Sequence, residues 1–305
     1  MDVLCSLSIL AALALLALTY GARLALRGRA RSARVDREGK SALLGKGAME
    51  MMYWTVAPLG AGLARLGVSA NAVTWASLAV AVAAGVALGA GHFGLGAVLA
   101  LVSAAGDALD GFVARATGTA SDAGEVLDAA VDRYVELAFL GGVAVALRGS
   151  VPSLVLTILA IAASFMVSYS TAKAEALQIE PPRGSMRRTE RAVVLVTGAG
   201  LTPLFALLPI ARATGEEAWG HAPMIAALAI VAVVGNASAT RRLASLAASV
   251  RQREERARAA LDGAAPVVAR AGSAQGGAPR VAGGVGSASV PVSVDEPAAA
   301  RSAGR

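Results

Sequence analysis

Asp107, Asp110, Asp128 and Asp132 are carboxylates set in a chain otherwise apolar enough to sit in a bilayer. A misplaced carboxylate costs roughly 2.5 to 3.5 kcal/mol on insertion scales, so four on two adjacent spans need a compensating charge. On a helix, positions three or four apart share a face. Asp107 and Asp110 therefore form one pair, with Ala114 below them, and Asp128 and Asp132 form a second. Four oxygen donors facing one another suit two hard divalent cations, Mg2+ or Mn2+, and paired metals favour phosphoryl chemistry. Cys5 lies in the first apolar run, which excludes a disulfide framework or a Cys-rich metal site, and His92 and His221 read as loop positions. Two other readings of the carboxylates stand beside this one. Helix capping or a solvated vestibule explains Asp122 but not four acids in register. A cation-coupled transporter predicts carboxylates spread along a pathway near the midplane.

The elements that position these acids follow from the apolar runs. The chain of 305 residues is 56% hydrophobic and 16% charged, against ~25% charged in an average soluble protein. Residues 3–22, 66–106, 149–172, 192–211 and 218–240 contain no Asp, Glu, Lys or Arg. A bilayer core needs ~20 apolar helical residues, so each run can span once and 66–106 twice. This predicts an all-α polytopic bundle with six core spans, near 71–91, 94–116, 121–147, 151–177, 189–212 and 222–246. An extra N-terminal transmembrane anchor occupies 1–22, and 23–65 is a basic linker followed by an interfacial helix over 48–65 that carries Tyr53 and Trp54. The core domain is 66–248, and 249–305 is a basic, then Gly-, Ala-, Ser- and Pro-rich tail too apolar-poor beyond Gly263 to order itself. The short link 116–123 makes the two carboxylate helices antiparallel neighbours, with Gly111 and Gly124 keeping their backbones close.

Charge orients the bundle. Arg23, Arg27, Arg29, Arg31, Arg34, Arg37, Lys40 and Lys46 follow the first run, so that end is expected in the cytoplasm. Alternating the spans from there puts Lys173, Arg183, Arg187, Arg188, Arg191, Arg241 and Arg242 inside. The outer connections then hold Glu216, Glu217 and, of the basic residues, Arg148 alone. The net charge of +7 is thus a topological signal, and with no aromatic interleaving no nucleic-acid partner is expected.

The run D107-x2-D110-G111-x2-A114-R115-x8-G124-x3-D128-x3-D132 resembles the complete signature of the CDP-alcohol phosphotransferase family, and the resemblance covers roughly residues 48–248. It implies a membrane enzyme that moves a substituted phosphate from a CDP-linked donor, commonly CDP-diacylglycerol, to an alcohol, releasing CMP. It further implies a homodimer and a cytoplasmic-facing site in the cell membrane. By motif, Asp107, Asp110, Asp128 and Asp132 would bind the two metals, and Asp132 would also take the proton of the attacking hydroxyl. Gly111 and Arg115 would contact the cytidine nucleotide, with Ser121 a further polar contact. Ser69-Ala70-Asn71-Ala72-Val73-Thr74 is similar to the family's Pro-Asn-x-x-Thr segment, with Ala70 in place of proline, and places Asn71 and Thr74 at the donor pocket.

The acceptor is read from a second resemblance. Ser168 to Glu175 and Arg188-Thr189-Glu190-Arg191 resemble segments of the phosphatidylinositol phosphate synthase branch, and Arg242 matches a third basic position. This implies inositol 1-phosphate as acceptor, held through its phosphate by Thr171, Lys173, Arg188, Arg191 and Arg242. Thr171 stands where the branch has lysine, and Arg188 and Arg191 also fit ordinary positive-inside charge. Phosphatidylglycerophosphate synthesis is the alternative within the family.

Overall fold

The computed structural model describes residues 1–28, 45–181, 184–209 and 220–273, with side chains to residue 260. The expected basic residues Arg29, Arg31, Arg34, Arg37, Lys40 and Arg183, the acids Glu216 and Glu217, and the end of the tail lie outside the described residues. Among the described residues eight helices follow in order: α1 (Asp2–Arg27), α2 (Lys46–Arg65), α3 (Ala70–Gly89), α4 (Phe93–Thr117), α5 (Asp122–Ala146), α6 (Val151–Ala176), α7 (Arg188–Phe205) and α8 (Ala222–Ser273). The protein is a polytopic helical membrane bundle. Five helices, α1, α3, α4, α6 and α8, are long and apolar enough to cross a membrane. The other two core helices carry more charge, Asp128, Asp132 and Glu136 on α5 and Arg188, Glu190 and Arg191 on α7.

Local chemistry sets the boundaries. Ser69, Ser121 and Ser150 cap α3, α5 and α6, each Oγ accepting from a backbone N–H in the first turn, which supplies a partner for one of the donors a helix leaves open. Gly118 ends α4 in the left-handed conformation at φ 68° and starts the turn into α5. Glu190 reaches back to the N–H groups of Met186 and Arg187 to fix the start of α7. The α8 helix outruns its expected end near 246, and residues 251–260 are exposed. Arg, Glu and Ala dominate there, and such residues favour helix without needing burial.

Packing follows small residues. The extensive contacts of the bundle are those of α3 with α4 and of α3 with α5, so α3 separates the two carboxylate helices. The expectation that α4 and α5 are direct neighbours is corrected. Gly85 of α3 lies against Gly142 of α5 so closely that a Cβ on Gly142 would fall 2.1 Å from the Gly85 carbonyl oxygen. Gly106 of α4 meets Ser77 of α3 in the same way. Gly124, expected to bring α4 and α5 together, would meet only Ser121 Oγ, at 3.3 Å. It lines an open cavity instead. Leu88, Phe93, Leu140, Val143, Met224 and Leu228 belong to the buried core in the half of the bundle away from the acids.

The first helix is part of the bundle. It packs on α4 and α7 and touches α2. Asp2 accepts from the Leu95 N–H at 3.3 Å and faces His92 Nδ1 at 3.1 Å, and Tyr20 donates to Glu50 Oε2 at 3.2 Å. His92, expected to be a plain loop residue, thus helps to seat α1.

Candidate active site

Asp107 and Asp110 sit near the inner end of α4, and Asp128 near the start of α5. One oxygen from each lies within 4.8 Å of the others, an all-oxygen donor set of the kind a hard divalent cation takes. Asp110 is buried and accepts from Thr74 Oγ1 at 2.7 Å, so α3 orients it. The fourth acid is held differently. Asp132 is bound by Arg188 Nη2 at 2.5 Å, while Arg188 Nη1 donates to both oxygens of Asp107 at 2.9 Å. The four acids expected from spacing line one small pocket, three of them as a tight triad and Asp132 beside it, tied to Asp107 through Arg188. Arg188 stands in the first turn of α7, where the helix dipole disfavours a cation. Its two carboxylate partners offset that cost.

The residues expected at the donor pocket are brought together. Asn71, Thr74, Gly111, Arg115 and Ser121 line one open cavity of about 900 Å3, together with Asp110, Gly124 and Asp128. Thr119, Ala120 and Ser121 of the turn between α4 and α5 also line it. A second cavity, about 160 Å3 and mostly apolar, begins at Asp107 and Arg188 and runs between Ala100, Ala104 and Ala108 of α4 and Ala192, Leu195 and Val196 of α7.

The residues expected to bind an acceptor phosphate are placed unevenly. Of the five, Arg188 bonds the signature carboxylates, through Asp107 and Asp132. Arg191 is fully buried and donates to Glu136 Oε1 and to the Met186 carbonyl. Arg242 donates to the carbonyls of Gly184 and Ser185, and Ser238 also donates to Ser185. Both arginines thus hold the segment that launches α7. Thr171 Oγ1 is 3.5 Å from the Val167 carbonyl of its own helix, and Lys173 is exposed. Sequence reasoning passed over Glu136, the counter-charge of Arg191, although it continues the Asp128–Asp132 stripe by one further turn. It also passed over Ser103, which donates to the Ser77 carbonyl and ties α4 to α3 beside the site.

Comparison with known proteins agrees with this geometry. The profile of the CDP-alcohol phosphatidyltransferase family matches residues 67–234. Phosphatidylinositol phosphate synthase of Mycobacterium marinum is 35% identical over 150 residues, covering 48% of this chain and 64% of that protein. The Streptomyces avermitilis protein of the same name is 31% identical over 204 residues, covering 63% of this chain and 82% of its own. For the first of these, the chain spans just under two thirds of the relative's length. The crystal structure of the Mycobacterium tuberculosis phosphatidylinositol phosphate synthase with CDP-DAG bound superposes with a TM-score of 0.55 at 26% identity, covering 63% of this chain and 92% of that one. The same enzyme has been solved in complex with manganese and citrate. The signature acids, the helical bundle around them and the matched profile together place this chain in the CDP-alcohol phosphatidyltransferase family.

Proposed function

We propose that this chain transfers the phosphatidyl group of CDP-diacylglycerol to the hydroxyl of a polar alcohol, inositol 1-phosphate, and releases CMP. The carrying observation is the 900 Å3 cavity, whose wall joins Asp110 and Asp128 to Asn71, Gly111, Arg115 and Ser121. It is large enough for a nucleotide and has acids where a pyrophosphate needs counter-ions. Asp107, Asp110 and Asp128 would hold a divalent cation, and Asp132 lies one turn beyond to complete a second site. Cations held by these carboxylates would supply positive charge to offset that of the pyrophosphate. Gly111 permits close approach of the nucleotide, and Arg115 supplies a forked donor for phosphate.

The reaction assigns each remaining group one task. The acceptor oxygen bonds to the phosphorus that carries diacylglycerol, and the bond from that phosphorus to the CMP oxygen breaks. Asp132 takes the hydroxyl proton. Arg188, now bound to Asp107 and Asp132, would turn to the acceptor's phosphate and leave Asp132 free as a base. Arg191 and Arg242 act as positioning residues through the 184–186 segment. The site would face the cytoplasm of the cell membrane, as Arg23, Arg27 and Arg241 at the same end favour. A homodimer is the proposed assembly, checked by cross-linking in native membranes.

Glycerol 3-phosphate is the second acceptor to test, favoured by Thr171 at the position of the missing lysine. Purified protein with Mg2+ or Mn2+ and CDP-diacylglycerol should release CMP with inositol 1-phosphate and not with inositol or serine. Release with glycerol 3-phosphate alone would move the chain to the other branch. Flux of cations into liposomes without CMP release would replace the enzyme by a transporter.

A further inference from the structure

The first helix lies outside the 67–234 family match, yet it is fitted to the bundle at two separate places. Its facing stripe should run through positions 2, 5, 6, 9, 12, 13, 16, 20 and 23, which share one side of a helix. At the outer end Asp2 is bonded to the start of α4, and Ser6 is buried. Gly94 admits this contact because a Cβ there would fall 2.2 Å from the Asp2 carbonyl oxygen. Ile9 packs against the buried core and reaches to within 3.8 Å of a Cβ built on Gly200 of α7. At the inner end Tyr20 is buried against Glu50 and its ring lies 5.8 Å from that of Trp54. Between these feet the stripe is less covered, and only Leu16 is half-buried. Ala12 is exposed and Leu13 is 45% exposed, although both point to the side that carries the contacts above and below.

The less covered stretch falls at a particular level. α1 runs parallel to α4, and one to two turns inward of Ala97 and Gly200 lie Ala100, Ala104, Ala192 and Val196, which line the apolar cavity. No residue of α1 lines that cavity, and α2 contributes Met52. The cavity starts at Asp107 and Arg188, so a chain lying in it would be joined to a phosphate at the acid cluster. We propose that α1 is a strap over the lateral mouth of this groove, with Ala12, Leu13 and Leu16 forming an outer wall for one acyl chain of the donor lipid. The alanines on α4 and α7 leave room for a methylene chain, and the looser cover by α1 leaves room for its far end. This rests on the proposed activity, and it adds that the strap sets which acyl lengths the enzyme prefers.

The test uses the full chain in membranes. A CDP-diacylglycerol carrying a diazirine at the end of one long acyl chain should label residues 9–16 on irradiation, and unlabelled CDP-diacylglycerol should compete. Labelling of α4 and α7 without α1 overturns the proposal. Equal labelling of residues 9–16 by a diazirine phosphatidylcholine that CDP-diacylglycerol does not displace also overturns it, by giving the gap to bulk lipid. In kinetics, Leu13→Trp should raise the ratio of KM for long-chain over short-chain CDP-diacylglycerol roughly tenfold, the scale on which pockets distinguish apolar groups. An unchanged ratio with CMP still released defeats the strap alone. No CMP from either donor in the unaltered protein defeats the proposed activity and the strap with it.

Discussion

Helices α3, α4 and α5 build both ends of the bundle, and α3 stays close to α4 beside the acids through Ser77 and Gly106, yet what lies between α3 and α5 differs from end to end. In the outer half the backbones of α3 and α5 touch at Gly85 and Gly142, and Leu88, Leu140 and Val143 are fully excluded from solvent. In the inner half α4 and α5 part around α3, and the gap is filled by Asp107, Asp110, Asp128 and Asp132 with Arg188 among them. Closure by glycine suits a region that nothing enters. Separation is what a site needs if it must hold like charges, a polar cavity and an exchangeable ligand.

The comparison breaks first at the acids. Chelation should abolish CMP release, with recovery on adding Mg2+ or Mn2+, and Asp110→Ala should lose Mn2+ binding measured by electron paramagnetic resonance. Asp132→Asn should lower CMP release by about 10^2- to 10^4-fold, the usual worth of a general base, while the fold survives. Full activity in that variant would remove Asp132 from proton transfer. The next effect is on stability. Glu136→Ala strands Arg191, whose side chain is 1% exposed, and loss of one partner from a buried pair costs about 3–5 kcal/mol. Thermal unfolding in detergent should show the loss, and replacing both residues by apolar ones should recover part of it.

How much of this could be read from the chain differs by region for a physical reason. The helix positions were legible because a bilayer imposes one length on every span, and five of the eight helices meet it by apolarity alone. The grouping of the residues that line the large cavity was legible because they come from two short sequence segments, Gly67 to Thr74 and Asp110 to Asp128, that fold locally. The neighbour relation was not. Spacing can say that Asp107 and Asp128 share an end, but only tertiary packing reveals that α3 stands between their helices. The roles of Arg191 and Arg242 were hidden likewise. A basic residue near a helix end has the same sequence signature whether it faces a ligand or, as here, bonds the carbonyls of residues 184–186. The seating of α1 rests on Asp2, Tyr20 and Glu50, single residues far apart in sequence with no periodicity to announce them.

Smaller changes sharpen the contrast between the ends. Gly142→Ala forces a methyl into the Gly85 carbonyl, and overpacking of this kind costs about 1–3 kcal/mol. Gly124→Ala adds the same methyl where only Ser121 Oγ is near, so stability should hold or rise through better helix propensity. If the two variants destabilise equally, the outer contact is not the clamp. The smallest effect is expected where α1 joins the outer end. The N-cap residue of α4, His92, makes no side-chain cap bond of its own, and Asp2 supplies a carboxylate to the Leu95 N–H from another helix. Asp2→Ala should therefore cost about 0.5–2 kcal/mol, the range for a lost helix cap, and Asp2→Asn should cost less because it keeps an acceptor. Hydrogen exchange at Leu95 should quicken in Asp2→Ala while exchange around Asp128 stays as it was. That result would place the clamp and the site in separately stable parts of the same three helices, whereas faster exchange at both would mean that seating α1 holds the carboxylate end in register as well.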